Sequence, residues 1–378
     1  MLTSEFDYNL PPELIAQSPA WVRDQSRLMI IDREGKTFEH RKFFEIVDFL
    51  KKGDLLVWNN TKVFKARLHG EILLDESVAL GSSKEGKPHL TSPWKGEEAK
   101  VLNAAPVEIF LVRPMENKYV WKVLAKPGKR LRLGMKVVFA PDFFCEVMLK
   151  EKDGTILVQF EDDDMVVRAK ANQYGEVPTP PYVKNPNDQI PMTKLDERYQ
   201  TVYAKHEGSV AAPTAGFHFT PELIENLERR GIEFAEVTLH VGLGTFLPVK
   251  TDKIEEHKMH SEWVELTAKN ADLINQAKDE KRRVVAVGTT SVRALEGVAL
   301  QTGEKLRAYT GDINIFITPG FKFQIVDAMI TNFHLPKSTL LMLVCSFVGE
   351  KKFTLECYQK AIEEKYRFYS FGDAMFVE

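Results

Sequence analysis

The first 65 residues mix two spacings of apolar residues. RLMIID and DLLVWN are nearly continuous apolar runs, as expected for buried strands. PPELIAQ and RKFFEIVDFLKKG instead space their apolar residues as helices do, and Gly53 is placed to end the second of them. This part of the chain is therefore predicted to contain both helices and strands.

A regular alternation of strand and helix patterns begins at about Val177. EFAEVTLHV, RRVVAVG and VDAMITNF have strand patterns, and helical stretches such as TAKNADLINQAKDEK lie between or after them. An alternation of this kind is typical of an α/β domain, in which helices pack on a mixed or parallel sheet.

The middle of the chain has a different pattern. Residues 66–160 contain short alternating segments such as VEIFLVRP, separated by Gly, Pro, Asn or Asp, which is typical of a small antiparallel barrel or sandwich. Within them, residues 75–106 are poor in apolar side chains and are predicted to form a mobile surface loop. The sequence thus predicts an α/β domain, residues 1–65 and 161–378, with an inserted antiparallel β-barrel domain.

Composition narrows the class of protein. The 378 residues are 44% hydrophobic and 28% charged, with a net charge of −3, which describes a globular protein and argues against binding nucleic acid through bulk positive charge. The three cysteines have no metal-ligand or disulfide spacing. The N-terminus lacks a signal-peptide pattern, and the most apolar run, Leu340–Val348, is too short to span a bilayer. A cytoplasmic protein is expected.

Small and polar residues cluster at four junctions. One is the stretch GSVAAPTAGFHFT, which ends at the predicted helix N-cap Thr220. The others follow the predicted strands VTLHV, VVAV and MITN. Each junction has residues suited to contact a ligand. In chain order of the junctions they are Thr214, Gly216 and His218; His240, Gly242, Gly244 and Thr245; Gly288, Thr289 and Thr290; and Asn332 and His334.

These junctions are predicted to meet around one small molecule. The carboxyl ends of strands in an open α/β sheet form a crevice, and helix N-termini there, such as the one predicted at Pro336, present free N–H groups. Glycines let the backbone approach a ligand. Two alternatives remain open at this point: the Gly-Thr-Thr-Ser segment at 288–291 is also good helix capping, and His240 is also suited to a core position.

Two further features carry possible chemistry. His257 and His260 are three residues apart, as a metal pair on a helix would be, but no third ligand is evident and no metal is predicted. Six cations lie on a predicted strand–turn–strand segment, either as a solvated rim or as a footprint for a phosphate backbone. They are Lys122, Lys126, Lys129, Arg130, Arg132 and Lys136.

Long motifs spread from Leu10 to Met375 resemble one family. They are LPPELIAQ, RDQSRLMI, GDLLVWNNTKV, DERYQTVYAKHEGSVAAPTAGFHFT, LHVGLGTFLPV, HKMHSE, VVAVGTTSVRALE, ITNFHLPKSTLLMLV and YRFYSFGDAM. All are similar to the S-adenosylmethionine:tRNA ribosyltransferase-isomerases of queuosine synthesis. That family combines an α/β domain with an inserted β-barrel, as predicted above.

The resemblance implies a specific reaction. The ribosyl portion of S-adenosylmethionine, which is consumed as donor, would move onto the aminomethyl nitrogen of 7-aminomethyl-7-deazaguanine at the tRNA wobble position. Rearrangement would give epoxyqueuosine-tRNA, adenine and methionine. The partners implied are that tRNA and S-adenosylmethionine, with no metal and no membrane, and a monomer is expected.

The chemistry requires a base for a ribosyl 5′ proton, a proton acceptor for the incoming amine, and a proton or hydrogen bond for the departing adenine. The resemblance makes His218 and His240 the first candidates, with His334 and Asp24 as further ones. Thr289, Thr290 and Arg293 are suited to the methionyl carboxylate. Further substrate contacts are expected from Asn59, Thr61, Arg67, Thr214, Gly216, Gly242, Gly244, Thr245 and Asn332, and tRNA contacts from Lys126, Lys129, Arg130 and Arg132.

The chain departs from the usual family pattern in NNTKVFKARLHG. Asn60 stands where the family usually has Asp, and Lys62 where it has Arg, so no carboxylate role is expected at position 60. Two other classes of protein remain open. One is a nucleotide- or metal-dependent enzyme that uses His257 and His260, and the other is a tRNA-binding protein without catalysis.

Overall fold

The computed structural model describes most of the chain. The described residues are 1–73, 105–178, 182–183, 197–242, 249, 251–259, 261–303 and 305–378. The loop expected at 75–106 falls outside them except for Ala105 and Pro106, which begin a strand. Gly244, Thr245 and His260 also lie outside the described residues.

The chain divides into two compact units, one formed by Met1–Val63 with Thr179–Glu378 and the other by Phe64–Pro178. The second boundary therefore lies after residue 178 and not after 160. The reason is helix α1, Asp164–Tyr174, which packs with the inserted unit: Val167 and Ala171 are buried, and Asn172 accepts from the Lys65 backbone N–H at 3.0 Å.

The larger unit is built on a nine-stranded sheet. Its strands are β1 Arg27–Asp32, β2 Thr37–Lys42, β3 Leu55–Asn59, β12 Glu233–His240, β13 Glu262–Leu266, β14 Val284–Val287, β15 Tyr309–Ile313, β16 Ala328–Asn332 and β17 Ala374–Val377. Across the sheet their order is β15-β13-β12-β3-β14-β16-β17-β1-β2. Strands β12, β3, β14 and β16 are parallel neighbours, as predicted from the alternation of elements. A separate parallel pair joins β4, Thr61–Val63, to β11, His206–Ser209.

Helices cover both faces of this sheet. They are α2 Pro221–Arg229, α3 Ala268–Asp279, α4 Thr289–Thr302, α5 Thr339–Val348 and α6 Lys351–Glu363. Alternate residues of β3 enter two different cores: Leu55 and Val57 pack with α3 to α6, whereas Leu56 and Trp58 pack with α2. Burial on both faces explains why the central strands have continuous apolar sequences.

The sequence predicts one helix start correctly, places another three residues early and predicts two helices where only 3-10 turns form. Thr220 caps α2 as predicted, accepting from the Leu223 N–H at 3.1 Å. The helix predicted at Pro336 begins instead at Thr339, because Ser338 is the N-cap and accepts from Leu341. The helical patterns after Pro11 and Arg41 form only short 3-10 turns, Pro12–Leu14 and Phe43–Asp48.

The inserted unit is a closed antiparallel barrel with the strand order β10-β7-β6-β5-β8-β9, which confirms the predicted barrel. Its strands are β5 Arg67–Leu73, β6 Ala105–Pro114, β7 Val120–Lys126, β8 Lys136–Ala140, β9 Phe143–Lys150 and β10 Ile156–Phe160. Alternate side chains such as Val107, Ile109 and Leu111 are buried, which is the period-two pattern of a strand that faces a core on one side. Among the described residues of either unit, no helix combines the length and apolarity that crossing a membrane requires.

Candidate active site

A cleft of about 500 Å³ in the larger unit brings the four predicted junctions together. It lies at the carboxyl ends of parallel strands, where ligands bind in open α/β sheets. The residues lining it are Ala211, Ala212, Pro213, Thr214, Ala215, Val241, Gly288, Thr289, Thr290, Thr331, Asn332, His334, Leu340, Tyr369 and Ser370. We call this cleft the main cavity.

The N-terminus of α4 opens into the main cavity. Gly288 precedes the helix with φ of +91°, a conformation that favours glycine, and its N–H donates to the Ile330 carbonyl at 2.7 Å. Thr289 and Thr290 follow as the first helical residues, whose N–H groups have no acceptor within the helix. The Thr290 hydroxyl is buried and has no hydrogen-bond partner in the described part of the chain. This helix end offers N–H and O–H donors and a favourable field to an anion.

His218 lies beside the main cavity but does not line it. It lines a smaller cavity of about 270 Å³, which shares Ser370 with the main cavity. Its ring stacks on Phe43, with centroids 4.9 Å apart. Burial, helped by Arg367 and Arg23, lowers the pKa of His218 to about 3, so the imidazole is neutral at neutral pH.

Both ring nitrogens of His218 are hydrogen-bonded. Nε2 lies 3.1 Å from the Asn332 amide nitrogen, which is a donor, so Nε2 accepts and Nδ1 carries the proton. Nδ1 then donates to the Ser26 hydroxyl at 2.7 Å. Asn332 in turn accepts from the Thr214 hydroxyl at 3.1 Å. A chain of hydrogen bonds therefore runs from Ser26 through His218 to two residues that line the main cavity.

His334 lines the main cavity directly. Its Nε2 lies 3.0 Å from the Thr331 hydroxyl. Its backbone is held on both sides, since the N–H donates to the Tyr358 hydroxyl at 3.2 Å and the carbonyl accepts from the Tyr8 hydroxyl. Burial lowers the pKa of His334 to about 3. This side chain is a neutral imidazole fixed at the wall of the cleft.

His240 ends strand β12, one residue before Val241 of the main cavity. Its ring stacks on Trp263 at 4.8 Å between centroids, and its Nδ1 lies 2.8 Å from the Thr61 hydroxyl. Asn59, at the end of β3, hydrogen-bonds to β12. Its amide nitrogen donates to the Leu239 carbonyl at 2.9 Å, and its side-chain oxygen accepts from the Leu239 and Thr61 N–H groups. The amide of Asn59 is thus used in joining β3 to β12.

Arg293 is buried in the first turns of α4 and pairs with the buried carboxylate of Glu262. Its Nε and Nη2 have no hydrogen-bond partner among the described residues. Glu262 also accepts from the Gly242 N–H at 3.4 Å. This ion pair ties α4 to β13, and it leaves the N–H groups on Nε and Nη2 for a further acceptor.

Two predicted residues have other positions. A Cβ at Gly216 would lie 2.0 Å from the Tyr203 hydroxyl, so this glycine is required by packing and does not line the main cavity. Asp24 lies on a 3-10 turn, Arg23–Gln25, and lines neither cavity. One of its carboxylate oxygens is buried without a hydrogen-bond partner in the described residues.

The structure does not place His257 on a helix, and His260 lies outside the described residues. His257 follows a short 3-10 turn, Ile254–Glu256, and its ring packs against Phe316 at 5.5 Å between centroids. Within the described ranges, no group of three or more His, Cys, Asp or Glu side chains is arranged to hold a metal ion.

The predicted basic segment belongs to the barrel. Four of its cations are exposed and form no ion pair with the residues that the structure describes; they are Lys126, Lys129, Arg130 and Arg132. Lys122 differs, because it pairs with Glu151 at 2.6 Å and Asp153 at 3.2 Å. Arg67, a predicted substrate contact, begins β5 and lies 4.0 Å from Glu108.

Sequence reasoning did not single out several residues around the main cavity. Tyr369 has φ of +73°, a conformation rare for a bulky side chain and often found at functional sites. Nothing in the residue type signals that conformation. Ser26 and Glu262 contact His218 and Arg293, which are 192 and 31 positions away in the chain. Only the motifs that contain them pointed to these positions.

Comparisons with known proteins agree on one family. Residues 3–377 match the model of a family described as "Queuosine biosynthesis protein". Curated relatives named S-adenosylmethionine:tRNA ribosyltransferase-isomerase are 45% identical in Thermotoga maritima and 47% identical in Thermosipho africanus, each over the full length of both chains.

A solved structure is also similar. The crystal structure of the S-adenosylmethionine tRNA ribosyltransferase from Thermotoga maritima aligns with a TM-score of 0.52 and 35% identity, over 99% of this chain and 100% of the other. The chain therefore belongs to the S-adenosylmethionine:tRNA ribosyltransferase-isomerase family of queuosine biosynthesis proteins, and it is an enzyme of that transferase and isomerase class.

Proposed function

We propose that this enzyme transfers the ribosyl portion of S-adenosylmethionine to tRNA and isomerises it. The acceptor is the aminomethyl nitrogen of 7-aminomethyl-7-deazaguanine at the wobble position, and the products are epoxyqueuosine-tRNA, adenine and methionine. The names of the relatives support S-adenosylmethionine and tRNA as substrates. The observation that carries the proposal is the convergence of four strand-end segments on one cleft at a helix N-terminus.

The methionyl carboxylate is proposed to bind at the N-terminus of α4. Thr289 and Thr290 offer free backbone N–H groups there, and the unpartnered Thr290 hydroxyl offers a further donor. Arg293, one turn along, has two guanidinium nitrogens, Nε and Nη2, without partners among the described residues. A carboxylate satisfies such donors, and the helix field favours its charge.

His334 is the proposed proton carrier, because among the candidate histidines it is the one that lines the main cavity. A neutral imidazole can accept a proton from the ribosyl 5′ carbon or from the incoming ammonium. The imidazolium formed then passes the proton to the departing adenine. His240 and Asp24 remain alternative proton acceptors.

His218 is proposed as a positioning residue. Its ring fixes the amide of Asn332, and Asn332 fixes the Thr214 hydroxyl, which faces the main cavity. On the barrel, the exposed cations at 126–132 are proposed to contact the tRNA phosphate backbone.

The test is release of adenine. The purified enzyme is mixed with S-adenosylmethionine and tRNA that carries 7-aminomethyl-7-deazaguanine, and free adenine and the modified nucleoside are measured by chromatography. Stoichiometric adenine is expected with this tRNA and none with tRNA that carries guanine. A chelator should leave the rate unchanged, whereas a metal-dependent enzyme would lose activity. Binding of tRNA without any adenine would contradict catalysis.

A further inference from the structure

Trp21 is exposed to a degree that folding does not explain. Its side chain is 89% exposed, the largest value for a big apolar residue in the described part of the chain, and the adjacent Val22 is 47% exposed. Tryptophan is a highly buried residue on average, because its large apolar surface gains by leaving water. Its exposure here favours a role in contact with another molecule.

The backbone beneath Trp21 is held in place. Arg198 donates to the carbonyls of Ala20 and Trp21, and Arg367 donates to the carbonyl of Ser18 at 3.5 Å. Nearby, the Ala16 N–H donates to the Phe368 carbonyl at 3.1 Å. The segment is therefore fixed while the indole at its tip is free, so little ordering is needed when the indole binds a partner.

Two arginines without an ion pair among the described residues lie next to Trp21. Arg23 donates to three backbone carbonyls, those of Phe217, Arg198 and Gln200, and neither Arg23 nor Arg198 has an ion pair with a described residue. Burial and the proximity of Arg198 lower the pKa of Arg23, which is the expected effect of two uncompensated cations. Asp24 and Glu197 are neighbours in the chain, but neither pairs with these guanidinium groups, which are thus left to attract an anionic partner.

The position of Trp21 links it to the site. Ala20 and Arg23, its near neighbours in the chain, line the smaller cavity together with His218. That cavity shares Ser370 with the main cavity. The backbone that carries Trp21 therefore forms part of the wall of the smaller cavity, next to the cleft.

We infer that Trp21 is a stacking platform for an unpaired nucleobase of the RNA substrate, close to the nucleotide that reacts. Single-stranded nucleic acids are bound by aromatic rings that stack on bases next to cations that balance phosphates. Trp21 supplies the ring, and Arg23 and Arg198 supply the charge. This inference rests on the proposed function for the identity of the partner as tRNA.

The experiment measures binding of full-length tRNA and of its isolated anticodon stem–loop by fluorescence anisotropy. Trp21→Ala should weaken both by roughly 5- to 100-fold, the usual effect of losing one stacked base. Trp21→Phe, which keeps an aromatic face, should stay within about threefold of the parent enzyme. Leu300→Ala removes another exposed apolar side chain, 56% exposed on α4, and should change nothing.

Adenine release distinguishes failure of the inference about Trp21 from failure of the proposed function. In Trp21→Ala the KM for tRNA should rise while kcat stays near that of the parent enzyme. If the parent enzyme is active and Trp21→Ala binds tRNA as tightly as the parent does, the inference is overturned and the proposed function stands. A parent enzyme that neither binds tRNA nor releases adenine would overturn both. Loss of a dimer in Trp21→Ala, measured by sedimentation, would instead make Trp21 a contact between copies and overturn the inference.

Discussion

His218 and His334 are neutral imidazoles held in a protein interior. Burial is the main cause of their low pKa values, about 3 for each. The unfolded chain binds a proton at each of these histidines below about pH 6.5, and the folded chain does not. Acidification therefore favours the unfolded state, and each histidine makes the free energy of unfolding fall as pH decreases from 6.5 toward 3.

This linkage can be measured by urea denaturation at several pH values. Between pH 5.5 and 4, each histidine should contribute a slope of about 1.4 kcal/mol per pH unit. His218→Gln and His334→Gln should each reduce the slope by about that amount, whatever they do to stability at pH 7. An unchanged slope in both variants would show that these imidazoles are protonated in the folded enzyme.

The sequence predicted candidate histidines but not what each of them contacts. The motif around His218 predicted a catalytic imidazole, and only the fold places Ser26 and Asn332 on its two nitrogens. Asn59 is a predicted substrate contact because it lies in a family motif, and the fold shows in addition that its amide joins the backbones of two strands. Spacing along a chain does not reveal which polar atoms are already satisfied by distant partners.

At the scale of elements, α4 carries both the end proposed to bind the methionyl carboxylate and its own anchor. Glu296 is fully buried on this helix, and its carboxylate accepts from the N–H groups of Gln324, Ile325 and Val326 at 2.8 to 3.0 Å. Burial raises the pKa of Glu296. This carboxylate fixes α4 to the segment that precedes β16, and so it helps to set the position of the helix N-terminus in the cleft.

Removal of this anchor should destabilise the protein. Glu296→Ala leaves three buried N–H groups without an acceptor and should lower the free energy of unfolding by roughly 2–4 kcal/mol. Glu296→Gln keeps one carbonyl oxygen as an acceptor and should lower the free energy of unfolding by less than Glu296→Ala does. Gln301→Ala, an exposed change on the same helix, should stay within about 0.5 kcal/mol. The contrary result would be equal stability of the alanine variant and the parent in thermal and urea unfolding.

Strands were easier to predict than helix ends. The continuous apolar runs of β3, β14 and β16 follow from burial on both faces, which the sequence records directly. The helix predicted at Pro336 starts three residues later, because Ser338 and not the proline supplies the cap. Residues 43–48 bury Phe43, Ile46 and Val47, and a 3-10 turn satisfies that spacing as well as an α-helix does.

At the scale of the molecule, a net negative enzyme must bind a polyanion through local charge. The exposed cations of the barrel, Lys126, Lys129, Arg130 and Arg132, are the predicted contacts. Arg130→Glu with Arg132→Glu should weaken tRNA binding and lower the slope of log K against log salt by about 1–2. Lys118→Glu with Lys152→Glu changes the net charge equally and should have a much smaller effect. Similar losses in the two variants would indicate a general charge effect and no defined footprint.

The two-unit organisation was predictable from the change of pattern, but its second boundary was not. A helical pattern after residue 160 could belong to either unit. Helix α1 is assigned to the barrel unit by its contacts with Lys65 and with strand β5, which the sequence does not reveal. Family motifs located the candidate site from sequence, whereas the separation of His218 from the main cavity required the fold.

The position of β17 has a consequence for local unfolding. β17 lies between β16 and β1, so it joins the β1–β2 hairpin to the rest of the sheet. Tyr369 and Ser370, which line the cleft, lie just before it in the chain. Fraying of β17 would therefore release the hairpin and one wall of the cleft together, so that opening of the one is coupled to opening of the other.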